Sequence, residues 1–255
     1  MSDARSEAIR AERIVKMFGT VTALNGVSMQ VAHGETLGIL GDNGAGKSTL
    51  IKILTGYHQP DSGQVFVDGK PVRLDSVDTA RGLGIECVYQ DLALVNGLSI
   101  YHNMFLNREL LRPGPFKLLD HKTMRQRAAA ALDEIGVRVA SVNLEVGQLS
   151  GGQRQAIAVA RAVMSDARIL LLDEPLAAMG AREARLIIDL IDRLKSRGDI
   201  AIVMIAHNYA QTLEICDRVM LVQHGEVTFE SHAATTSAEE LLDIVRREYR
   251  AARAG

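Results

Sequence analysis

Tryptophan is absent from this 255-residue sequence, and only two cysteines and five prolines occur. Cys87 and Cys216 each lie in an apolar context without metal-type spacing. That excludes a disulfide framework and makes a reducing cytoplasm the natural compartment. No apolar run approaches the ~20 residues needed to cross a bilayer; the longest, Ile169 to Leu172 and Ile200 to Ala206, have strand length. The segment from Met1 to Ala8 has no apolar h-region and does not read as a secretory signal. Any role at a membrane is therefore expected to come through another protein. A basic excess is missing too: 29 Lys+Arg stand against 31 Asp+Glu, a formal net charge of −2, which argues against a nucleic-acid partner. What is there is ordinary for a globular chain, 47% hydrophobic and 24% charged, with length for one large domain or two small ones.

No internal repeat or low-complexity tract appears. Alternating apolar runs between Arg13 and Val31, punctuated by Gly19 and Gly26, predict strands at a sheet edge. Thr36 to Leu40 reads as a strand running into a glycine-rich loop, and Ser48 to Leu54 as the helix beyond it. Val65 to Val67 and Ile85 to Val88 read as further strands. From Asp91 to about Val146 helical periodicity takes over. Asp120 is a candidate N-cap for a helix with Met124, Ala128, Ala131 or Leu132, and Ile135 on one face, stopped by Gly136. Helix resumes from Ser150 to about Met164. A strand (Ile169 to Asp173), a helix (Ala181 to Arg197) and a strand (Ile200 to Ala206) follow, and Ser237 opens a terminal helix.

The run Gly41-Asp42-Asn43-Gly44-Ala45-Gly46-Lys47-Ser48 fits G-x-x-x-x-G-K-[ST]. Its glycines let successive backbone N–H groups point into one concavity at a helix N-terminus, an anion nest. Lys47 reaches toward β- and γ-phosphates, the Ser48 hydroxyl suits Mg2+, and Thr49 stands near the α-phosphate. A chance match in a chain this long is on the order of one per cent, and this one sits between an apolar strand and a helix start, so nucleotide binding is expected. The strand Ile169 to Asp173 ends in two acids: Asp173 suits a Mg2+ shell, and Glu174 suits polarisation of an attacking water. Gln90 and His207 also follow apolar strands. In an open parallel sheet ligands gather outside the carboxyl ends of the strands, so four such exits deliver one constellation.

Leu149-Ser150-Gly151-Gly152-Gln153 precedes a helix and ends 20 residues before Asp173. Serine and two glycines at a helix N-terminus form a second anion site by the same logic. In this order the set G-D-N-G-A-G-K-S-T, Gln90, L-S-G-G-Q, I-L-L-L-D-E-P and His207 resembles the ATP-binding cassette (ABC) ATPases over roughly residues 12–230. The resemblance implies an α/β P-loop NTPase: a RecA-like, mostly parallel sheet core with an antiparallel β edge and an inserted α-helical subdomain. The polar residues 1–10 read as a loose N-terminus, and residues 11–230 as one domain, with its core in 11–90 and 164–230 and a helical insertion, the subdomain the resemblance implies, at about 91–163. A C-terminal helix takes 231–255. The resemblance implies ATP and Mg2+ as ligands, catalytic roles for Lys47, Gln90, Glu174 and His207, and Mg2+ ligation by Ser48, Gln90 and Asp173. Phe18 matches the position whose aromatic stacks on adenine. It also implies a head-to-tail dimer, in which Ser150 to Gln153 of one ATPase subunit close on ATP held by the other.

Two positions depart from the family pattern. Leu176 replaces a hydroxyl residue, and Gly180 stands where an aspartate usually contacts the partner. Several stretches, including Leu54 to Gly63, Val88 to Val95 and Asn103 to Glu109, are similar to ATPases of bacterial simple-sugar importers (ribose, xylose, fructose). The expected partners are a second ATPase subunit, a membrane permease docked near Gln90 to Glu109 and, indirectly, a periplasmic solute-binding protein. The expected location is the cytoplasmic face of the cell membrane. Importers of another solute remain an alternative. A soluble cassette protein would need tandem cassettes or a long coiled coil, and a P-loop kinase would have no use for L-S-G-G-Q.

Overall fold

The computed structural model describes residues 6–254. Its strands are β1 (Glu7–Phe18), β2 (Val21–Ala32), β3 (Thr36–Leu40), β4 (Ser62–Val67), β5 (Lys70–Val72), β6 (Ile85–Val88), β7 (Ile169–Asp173), β8 (Ala201–Ile205), β9 (Arg218–Gln223) and β10 (Glu226–His232). Its helices are α1 (Lys47–Leu54), α2 (Val77–Gly82), α3 (Ile100–Met104), α4 (His121–Glu134), α5 (Gly151–Val163), α6 (Ala181–Arg197), α7 (Tyr209–Ile215) and α8 (Ala238–Ala254). Among the described residues no helix is long and apolar enough to cross a membrane.

The strands sort into two sheets. A four-stranded antiparallel sheet has the order β2-β1-β4-β5, and a six-stranded sheet the order β10-β9-β3-β8-β7-β6. In the second sheet β3, β6, β7, β8 and β9 run parallel and only β10 is antiparallel. Parallel strands covered on both faces must be apolar on both, which is why β7 and β8 read as unbroken hydrophobic runs. Alternation then divides them: Leu170 and Leu172 enter the core under α5 and α6, whereas Ile169 and Leu171 enter the core shared with α1 and the antiparallel sheet. Each fully buried side chain of this kind contributes about 1.5–3 kcal/mol.

Between β6 and β7 the chain holds α3, α4 and α5. Helix α4 starts at Asp120, whose carboxylate accepts the Thr123 N–H at 3.1 Å, and buries Met124, Ala128 and Leu132; Leu132, not Ala131, takes the inward position. Helix α6 buries Ala184, Ile187, Ile188, Leu190, Ile191 and Leu194, with Leu186 at the margin of that stripe, and ends at Gly198 with φ +75°. Lys195 and Arg197 in its last turn complement the helix dipole.

Two expected boundaries are corrected. The loose stretch of 1–10 gives way to strand at Glu7: Ile9 is fully buried and pairs with Val31 and Val67, because it faces the core between β2 and β4. Residues 1–5 lie outside the described residues. The terminal helix begins at Ala238 rather than 231, since β10 runs on to His232 beside β9 and a 3-10 turn follows over Ala233–Thr235. The Ser237 hydroxyl accepts the Glu240 N–H at 3.1 Å.

Candidate functional site

The site lies where the parallel strands end. In register, Val88 pairs with Leu172, Asp173 with Ile205 and Ile39 with Ile205, so the exits of β3, β6, β7 and β8 are level along one sheet edge. From β3 the chain enters Gly41–Gly46, a turn that only glycine permits at two points. Gly41 has φ +142° and Gly46 φ +105°; a Cβ at Gly41 would overlap the Val222 carbonyl oxygen and one at Gly46 the Ala23 carbonyl oxygen. The loop is pinned from outside by the Gly225 N–H donating to the Ala45 carbonyl at 3.1 Å. It delivers the chain into α1, so the first backbone N–H groups of that helix face the concavity. Asn43, Gly44 and Ser48 are exposed, Asp42 and Thr49 half-buried, and Ala45 buried.

Lys47 is buried, 5% exposed, with its ammonium held by the Gly41 carbonyl at 2.7 Å and the Asp42 carbonyl at 2.8 Å. Burial lowers its pKa, while the negative charges of Glu174, Asp42 and Asp173 act in the opposite direction. Asp173 shows the reverse: burial first and the neighbouring Glu174 second raise its pKa, against the pull of Lys47. A half-buried carboxylate at a strand exit beside a phosphate-binding loop is a natural ligand for a cation. The Glu174 N–H donates to the Ile205 carbonyl at 3.1 Å, one residue past the end of β7, and Glu174 takes φ +53°. That turn swings its side chain to His207, whose Nε2 lies 2.6 Å from Glu174 Oε1. Since an ionised carboxylate only accepts, the His207 Nε2 carries the hydrogen. A cavity of about 270 Å3 beside the pair is lined by residues including Leu176, Met179, Ala206 and Gln211.

The structure thus brings Lys47, Asp173, Glu174 and His207 together. Gln90 stands two residues beyond β6, exposed at the same sheet edge. Phe18 ends β1 and is 44% exposed, so it is not a core aromatic. Its ring meets the edge of His58 with centroids 5.2 Å apart, and Lys16 Nζ lies 5.6 Å above it. No sequence spacing links Phe18 to Lys16, Tyr57 and His58, although Tyr57 and His58 lie in the Leu54 to Gly63 stretch.

Ser150 to Gln153 stand apart from that edge, at the start of α5, which packs chiefly against α6, α3 and β6. The Ser150 hydroxyl accepts the Gln153 N–H at 3.3 Å and the Gln153 side chain accepts the Ser150 N–H at 3.0 Å, a reciprocal capping box. Leu176 is partly buried against the apolar core, and Gly180 caps α6 without a side chain. One residue at this end escaped the sequence reading: the Glu183 carboxylate accepts the Gly152 N–H at 3.4 Å. Its signal was present, a glutamate three residues after the start of a helix, but Gly180 offers no hydroxyl to complete the usual capping pattern.

Comparison with known proteins agrees with the fold. The model for the family described as "ABC transporter" matches residues 24–177. The xylose/arabinose import ATP-binding protein XylG of Sulfolobus acidocaldarius is 44% identical over 94% of this chain and 94% of its own length. The fructose import ATP-binding protein FrcA of Rhizobium meliloti is 42% identical over 87% of each. Among solved structures, the ADP conformation of MJ1267, an ATP-binding cassette of an ABC transporter, superposes with TM-score 0.79 at 26% identity, covering 93% of this chain and 94% of that one. A dimeric post-hydrolysis state of the ATP-binding cassette MJ0796, bound to ADP and Pi, superposes with TM-score 0.73 at 25% identity, covering 88% and 98%.

Proposed function

The chain belongs to the ABC transporter ATPase family, and from that premise we propose that it is the ATP-hydrolysing subunit of an importer for a monosaccharide. Both relatives described above are sugar import ATP-binding proteins, and the resemblance covers 94% and 87% of this chain. In this reading Gly41 to Thr49 cradle the triphosphate by backbone N–H groups and the Lys47 ammonium. Phe18 supplies an exposed face for adenine. Ser48, Gln90 and Asp173 form an oxygen donor set that suits Mg2+. Bound there with the phosphates, Mg2+ would neutralise charge on the β- and γ-oxygens.

Glu174 holds and orients the attacking water and accepts its proton, and His207 fixes the carboxylate through Nε2. The contact between His207 and Glu174, set by the level ends of β7 and β8, is the observation that carries the assignment. Two copies face each other, each closing its Ser150 to Gln153 on ATP held by the other, and the closure pulls on a membrane permease docked near Gln90 to Glu109. A periplasmic solute-binding protein would deliver the sugar, and the subunit would work at the cytoplasmic face of the cell membrane. The dimeric MJ0796 cassette supports the paired arrangement.

A Glu174→Gln substitution tests this. It should leave ATP binding intact, lower turnover at least about 100-fold, and accumulate an ATP-dependent dimer on size-exclusion chromatography. Turnover at the wild-type rate would overturn the role given to Glu174.

A further inference from the structure

The N-terminus of α5 already holds an anion supplied by this chain. Glu183 lies in the first turn of α6, and its Oε1 accepts the Gly152 N–H at 3.4 Å. A Cβ placed on Gly151 would lie 3.7 Å and 3.9 Å from the two carboxylate oxygens, and one on Gly152 would meet Glu183 Cβ at 2.9 Å and Cα at 3.2 Å. The two helix starts are therefore packed so closely that glycine is required at Gly152, and this close packing sets the carboxylate over the first turn of α5. The site donors hold that carboxyl below its ordinary range: first the Gly152 N–H, then the Ser150 hydroxyl, with the N–H groups of Gly180 and Gly151 behind them. No lysine or arginine stands within ion-pair distance of Glu183 among the described residues, so its charge is met by the helix end and not by a salt bridge.

We propose that Glu183 is a resident counter-anion of the signature helix, which the triphosphate held by a second copy must displace, so that Glu183 sets the ATP concentration at which two copies close. The proposal rests on the reading that Ser150 to Gln153 face the ATP of the partner. Two anions cannot share one helix end without strong repulsion, and the Gly152 N–H that Glu183 takes, beside the Ser150 hydroxyl, is one a phosphate at this helix end would need. Glu183 therefore opposes closure. Removing its charge should favour the dimer, where a merely structural brace would have the opposite sign.

The test uses the full chain carrying Glu174→Gln, in which hydrolysis is stalled, with dimer fraction measured against ATP concentration by analytical ultracentrifugation. Adding Glu183→Gln, which keeps size and packing over Gly152, should lower the half-saturating ATP about three- to tenfold. Glu183→Ala should move it the same way, while ATP affinity of the separated monomer stays unchanged. A threshold that stays put or rises in both variants overturns the proposal. A parallel arm, Gly151→Asp, places a fixed extra anion at the same helix end and should abolish the dimer. If dimer persists there with unchanged ATP dependence, the shared-site reading itself fails. If it vanishes while the Glu183 variants leave the threshold unmoved, only the role of Glu183 fails.

Discussion

The N-terminus of α1 and the N-terminus of α5 both offer backbone N–H groups to an anion, yet the chain prepares them in opposite ways. Before α1, glycines with left-handed φ press against the Ala23 and Val222 carbonyls, and the Lys47 ammonium is buried on the Gly41 and Asp42 carbonyls. The shape of that loop is constrained by steric exclusion. At the start of α5 the close contact is with another side chain, Gly152 against Glu183, and the rest is capping: Ser150 and Gln153 cap each other reciprocally and Glu183 adds a carboxylate. Charge follows the same division. Asp173 beside the first site is disfavoured as an anion by burial and by Glu174, whereas Glu183 at the second is favoured by the donors it caps. One half holds a buried carboxylate disfavoured as an anion and the other already holds its anion, as expected if the first binds nucleotide alone and the second engages it only on closure.

The comparison can be broken most directly at Gly46. Replacement by alanine puts an L-residue at φ +105° and drives its Cβ into the Ala23 carbonyl. The left-handed backbone alone costs about 1–2 kcal/mol, and the overlap adds to it. ATP affinity of Gly46→Ala, read by titration with a fluorescent ATP analogue, should fall at least about tenfold; affinity within twofold of wild type would show that this loop is as adaptable as the other. Ser150→Ala probes the capped end. Loss of the cap should cost about 1 kcal/mol of stability in urea unfolding, with monomer ATP affinity unchanged and turnover reduced. Weakened ATP binding by the isolated monomer would mean that the two sites are not separate.

The same contrast explains what could be read from the sequence. The phosphate loop, the acids Asp173 and Glu174 and His207 were legible because parallel strands force their ends to one edge, so linear motifs translate directly into a site. The long helices were legible as well: Asp120 with its apolar face, and α6 from Ala181 to Arg197. The strand at Glu7 to Arg10 was not. Its pattern, Glu-Ala-Ile-Arg, is too short and mixed to declare a buried strand, and only pairing with β2 and β4 makes it one. Glu183 was hidden for a different reason. It lies 31 residues beyond Gly152, and only the packing of α6 on α5 brings the two together. Its place in the first turn of α6 marks a capping role at its own helix, but nothing local points to α5 as its partner.

The smallest effect sharpens the electrostatic side of the comparison. Asp173 has a pKa raised by burial and by Glu174, so the folded chain binds its proton more tightly than the unfolded chain does. Linkage then makes the ionised group a cost to folding: the penalty is absent below the ordinary carboxylate range and grows as pH rises through the raised pKa. Asp173→Asn removes the charge without changing the size, so at pH 7 the variant should melt at the same temperature as wild type or slightly above it, although its turnover is lost. The difference should close below about pH 4, where the native carboxyl is protonated too. Glu183→Gln should show the opposite sign, because the pKa of Glu183 is lowered and its charge stabilises the fold until pH falls through that lower pKa. Thermal melts of both variants between those pH values therefore decide whether the two ends of the site differ in kind. A loss of stability at pH 7 in Asp173→Asn would place Asp173 with Glu183 as a satisfied charge and remove the electrostatic contrast between the two sites.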